Sequence, residues 1–125
     1  MIYSNVDFAV RYVDPTLTTN GSGLTPSEAM NALPTSASQF QDNTAYIIRR
    51  TSESSAVKLP NGTNSSIKNI LFIGMPNPSD TLYELMPEEA KTAWGKDSHE
   101  YANIQFESTS GSFQLSNVNH FLLHR

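Results

Sequence analysis

The residues best suited to chemistry in this chain stand in its last third, where three acids, Asp97, Glu100 and Glu107, cluster beside His99. A pair of carboxylates about 5 to 9 Å apart can hydrolyse a glycosidic bond, one as acid and one as base or nucleophile. Sequence proximity does not fix that separation, and acids in a polar stretch are ordinarily solvated surface. The other two histidines, His120 and His124, are four residues apart, but in a strand-like stretch. That spacing puts them on one face about 13 Å apart, too far to share a metal. No cysteine offers a thiolate, so no metal site and no cofactor is assigned. A nucleophile elbow, a phosphate loop and a dinucleotide fingerprint are also missing; Gly21-Ser-Gly23 precedes a helical stretch but lacks the required spacing.

Aromatic side chains are the remaining candidates. Tyr83, Trp94 and Tyr101 lie in or beside a proline-punctuated stretch, 75–102, and exposed rings can stack on sugars or anchor a protein interface. The competing expectation is that they pin this stretch onto the core, above all for Trp94, the sole tryptophan.

The elements that would position these residues are mostly strands. Charged residues make up only 16% of the 125, below the roughly 25% usual in soluble domains, and Ser, Thr and Asn take their place. Short hydrogen-bonding side chains suit the turns of stacked β structure and contact with carbohydrate. Nucleic acid is excluded as a partner, because the formal charge is −4 and the eight Lys and Arg form no patch. No window is apolar enough to cross a membrane as a helix, and the N-terminus lacks the features of a signal peptide, so the expectation is a protein without membrane insertion. Three Asn-x-Ser/Thr triplets, at Asn20, Asn61 and Asn64, read as turn chemistry.

Along the chain, 6–13 suits an opening strand, and Thr25-Pro-Ser-Glu28 predicts a short helix over 26–33 with Ala29, Met30 and Leu33 on one side. The runs 44–51, 56–59 and 67–74 read as strands, the last with little exposure to solvent. Pro87-Glu-Glu-Ala-Lys-Thr-Ala-Trp94 suits one or two helical turns with acids at the N-terminal end. Three further short strands follow, 103–108, 112–116 and 120–125, with Phe106, Phe113, Leu115, Phe121 and Leu123 expected to point inward. A stack ending inside a strand leaves backbone donors and acceptors unpaired, so further β structure, another copy or another protein is expected to cover that end.

The order of Arg11-Tyr-Val-Asp-Pro15, the segment Gly21 to Leu33, Asn43-Thr-Ala-Tyr-Ile-Ile-Arg49 and Ser66-Ile-Lys-Asn-Ile-Leu-Phe-Ile-Gly74 resembles the start of right-handed parallel β-helix proteins of the pectate-lyase-like superfamily. That group includes many bacteriophage tailspikes. The resemblance implies a mainly β fold: one domain, 1–125, with entry strand and capping helix (1–34), first coil strands (35–74), an inserted loop (75–102) and further coil strands (103–125). It implies a structural or adhesion module of a virion spike or fibre, assembling as a trimer or onto a larger particle and attaching to a host-surface polysaccharide. The alternatives are an N-terminal fragment of a polysaccharide lyase or glycoside hydrolase, and an intracellular domain that binds a protein through its open edge. The implied location is the virion, and otherwise the cytoplasm.

Overall fold

The computed structural model describes residues 1–50, 55–97, 104–108, 111, 113–115 and 118–124. Ten short strands are present among them: β1 (Ile2–Tyr3), β2 (Val6–Asp7), β3 (Ala9–Val13), β4 (Thr44–Ile48), β5 (Ser55–Leu59), β6 (Gly62–Asn64), β7 (Asn69–Gly74), β8 (Ile104–Ser108), β9 (Phe113–Leu115) and β10 (His120–His124). One α-helix, α1 (Glu88–Trp94), and three 3-10 turns, Pro26–Glu28, Ala37–Gln39 and Thr81–Leu85, complete the set.

The expected β-helix is overturned. The strands divide among four small sheets: a parallel sheet in the order β10-β7-β4-β3, parallel pairs β5-β8 and β6-β9, and an antiparallel pair β1-β2. A solenoid needs a repeating coil, and the connections across the four-stranded sheet, 14–43, 49–68 and 75–119, differ widely in length and content. The result is a small mixed structure. Three of the four segments in a family-like order form strands, but their order does not specify a repeat.

The inner strands of the four-stranded sheet, β4 and β7, are buried on both faces, as in parallel sheets generally, which is why they read as nearly continuous apolar runs. Alternate residues serve two cores. Tyr12, Ala45, Ile47, Leu71 and Ile73 meet Met75, Met86, Ala90 and Trp94 on one face. Val13, Tyr46, Ile48, Ile70 and Phe72 meet Leu33, Phe40, Val57, Ile67 and Ile104 on the other.

The helix expected over 26–33 shrinks to the turn Pro26–Glu28. Thr25 Oγ1 does accept from the Glu28 N–H at 3.2 Å, but Ala29 turns extended (φ −64°, ψ 153°). Met30 then donates to the Tyr12 carbonyl and accepts from the Asp14 N–H, so this segment covers the outer edge of β3. Pairing with the edge outweighs local helical preference. Gly21 makes the close approach possible: its N–H donates to the Ala29 carbonyl, and a Cβ there would press on the Glu28 carbonyl, with the Ala29 oxygen 2.8 Å away. Both obstacles are backbone and cannot swing aside. Gly21→Ala is therefore expected to cost about 1–3 kcal/mol, read as a lower urea midpoint at unchanged m-value; an unshifted midpoint would show that the segment is free to move off β3.

Candidate functional site

Among the described residues, the candidate carboxylates Asp97 and Glu107 stand on different elements with different neighbours. Asp97 is held by Arg49, whose Nε donates to Oδ2 at 3.2 Å while Nη1 donates to Asp14 Oδ2 at 3.0 Å. Asp14 also accepts from the Thr16 N–H at 2.9 Å and hydroxyl at 2.6 Å. Burial works to raise the Asp14 pKa, but the Thr16 and Arg49 hydrogen bonds outweigh it and keep the group below the ordinary carboxylate range. This network stitches the ends of β3, β4 and α1 together. Glu107 is exposed on β8 in register with Lys58 of β5. His99, Glu100 and Tyr101 lie outside the described residues.

The two described aromatic candidates, Trp94 and Tyr83, belong to a packed flap. Trp94 is only 4% exposed and meets Tyr12 edge-on at 5.4 Å, so it joins the core and presents no stacking face. Tyr83 is half-buried, packs against the same core and carries the Lys91 ammonium over its ring at 5.6 Å. A cleft of about 430 Å³ beside β5 is walled by Val13, Leu33, Val57 and three prolines. No carboxylate or histidine among the described residues lines it.

The histidines hold β10 in place. At the start of the strand, Asp42 accepts from the N–H groups of Asn43, Lys68 and Asn69, and Asn69 donates to Asn43 through its side-chain amide. The Asn69 Oδ1 lies 2.7 Å from His120 Nδ1. The Asp42 carboxyl sits below the usual range, burial opposing and the Lys68, Asn69 and Asn43 N–H groups prevailing. At the far end, His124 Nδ1 lies 2.9 Å from the Gly74 carbonyl and Nε2 lies 3.0 Å from Asp80 Oδ2. Asp80 is itself fixed by accepting from the Leu82 N–H, which caps the turn Thr81–Leu85.

Between these anchors runs the sheet's open edge. His120 donates through its N–H to Lys68, toward β7, so by alternation the N–H groups of Phe121 and Leu123 point away from the sheet. The side chains of Phe121 and Leu123, expected to be buried, are 52% and 41% exposed. Their neighbour Leu122 turns the other way and packs against the core behind the sheet. Edge strands are ordinarily blunted by Lys, Pro or a bulge, and His-Phe-Leu-Leu-His carries none of these. Asp80, Asn69 and Asp42 escaped the sequence reading; the one hint was the Asp80-Thr-Leu start of a capped turn.

No family model matches the chain, and neither a curated protein nor a solved structure matches it.

Proposed function

We propose that this chain is a structural module that assembles with further copies of itself by strand pairing along β10. One observation carries the reading: an edge strand without Lys, Arg, Asp or Glu presents two half-exposed large apolar side chains, Phe121 and Leu123, beside outward-facing backbone N–H groups. Burying apolar area and pairing free backbone groups both favour covering that edge. A second copy suits it because His-Phe-Leu-Leu-His reads almost the same in both directions about Leu122. In an antiparallel pair centred there, Phe121 of each copy faces Leu123 of the other, as a two-fold interface requires. The trimer and virion setting implied by the family resemblance draw no support from a fold without coils, and the enzymatic alternative draws none from Asp97, which is held by Arg49, or from Glu107, which stands exposed on β8.

Sedimentation tests this directly. The wild-type chain is expected to sediment well above the 13.8 kDa of one copy at high micromolar concentration. Leu123→Lys, which places a charge on the edge without touching the core, is expected to shift it to a single copy with an unchanged far-ultraviolet spectrum. A wild type that remains a single copy throughout, or a variant that assembles equally well, would overturn the proposal.

A further inference from the structure

We infer that the far end of β10 is fastened by a proton-dependent clasp, in which His124 must be an imidazolium to hold the Gly74 carbonyl and the Asp80 carboxylate at once. This rests on the assembly reading only in supposing that the strand so fastened is the interface; the clasp stands on its own geometry. Both groups facing the ring accept hydrogen bonds and cannot donate, at 2.9 Å from Nδ1 and 3.0 Å from Nε2. Neutral imidazole has one N–H, so either tautomer must abandon one of the two. Only the doubly protonated ring satisfies both.

The surroundings agree. The Asp80 carboxyl is held below its ordinary range, first by the Leu82 N–H and then by His124, with Arg50 adding its positive charge against a small opposing effect of burial. Arg50, from the segment after β4, is the other charge acting on Asp80, and its Nε donates to the Met75 carbonyl. The strand β7 offers His124 only the Gly74 carbonyl. His120, at the other end of β10, provides an internal contrast. Its ring contact among the described residues, Nδ1 with Asn69 Oδ1, needs a single N–H, which a ring with one proton supplies.

The direction with pH follows from the two partners. The clasp is complete while His124 is protonated and Asp80 ionised. It loosens when the ring gives up one of its two protons as pH rises, and also in strong acid as pH falls through the depressed Asp80 ionisation. Loss of that proton frees the far end of β10 from one of its two fastenings. The edge that would pair with a second copy is best ordered while the ring is doubly protonated.

Amide hydrogen exchange reads this in the full chain, at a concentration where it sediments as its smallest species. The protection factor of the His124 amide is expected to fall about fivefold or more from pH 5.5 to pH 8, while core amides such as Ile47 and Leu71 keep theirs. In His124→Gln, whose side chain does not titrate, the protection is expected to be lower and flat across the same range. The ring nitrogens of His124 should show two N–H groups at pH 5.5 and one at pH 8 in nitrogen-15 spectra. A wild-type protection that does not change with pH, or an equal change in His124→Gln, would overturn the clasp. Because the measurement is made below the assembly concentration, its failure leaves self-pairing untouched, and failure of self-pairing leaves the clasp untouched.

Discussion

Phe72→Ala is expected to cost about 3–5 kcal/mol. Phe72 is fully buried at the centre of β7, stacked on Tyr46 at 5.8 Å. The rings of Phe40, Phe106, Phe113 and Phe121 also stand around it, 5.6 to 6.2 Å away between centroids. Those neighbours come from the segment before β4 and from β8, β9 and β10, so one side chain joins four separate parts of the chain. Removing it deletes apolar contact and leaves a cavity that rigid rings on regular strands cannot collapse to fill. Against a total stability of about 5–15 kcal/mol for a domain, that is about a fifth or more of what holds the fold. Urea unfolding of the two proteins measures it. A loss under about 1.5 kcal/mol would show that β8, β9 and β10 are not packed over Phe72 as described.

Arg49→Met is expected to cost about 2–3 kcal/mol, through charge rather than volume. The substitution keeps much of the apolar stem but strands Asp14, whose side chain is only 3% exposed, and releases Asp97. Breaking a buried pair by removing one partner ordinarily costs about 3–5 kcal/mol. The figure is discounted here because Arg49 is about a third exposed and Thr16 still donates twice to Asp14. Arg49→Lys should recover part of the loss, since an ammonium restores charge but cannot reach both carboxylates with a guanidinium's fork. The pH dependence carries a sign. Asp14 is depressed in the fold, so its contribution is present above the ordinary carboxylate range and is lost as pH falls through its lowered value. In Arg49→Met that loss is expected to begin at a higher pH, visible as an acid unfolding midpoint displaced upward. An acid midpoint that does not move would mean that Thr16 alone sets the Asp14 ionisation.

The strands β4 and β7 were legible because burial on both faces leaves an unbroken apolar run in the sequence, and α1 was legible from Pro87 followed by two glutamates. The segment 26–33 was not, because its helical signals are local while the pairing of Met30 with Tyr12 and Asp14 is not. The expected β-helix failed for a related reason. The order of three strand-like segments and one loop says which residues are extended; the unequal lengths between the strands decide whether the pairs grow into a coil. The interaction edge was half legible. A strand over 120–125 could be read from the spacing of the last three runs, but Phe121 and Leu123 were assigned inward on alternation alone. Alternation gives the face of a sheet and says nothing of whether a neighbour covers it. The clasp was invisible. His124 and Asp80 are 44 positions apart, and only the parallel register of β10 on β7 brings them together.

Self-pairing through β10 is tested most directly by the exchange of its two outward amides, Phe121 and Leu123, followed as a function of protein concentration near pH 5.5. These N–H groups face away from β7, so no described residue of a single copy pairs with them through the ladder. Protection that rises with concentration at both positions, with His120 and Leu122 already protected at the lowest concentration, is the expected result and locates the second strand on this edge. Fast exchange of Phe121 and Leu123 at every concentration would contradict the account, whatever mass the chain shows in solution.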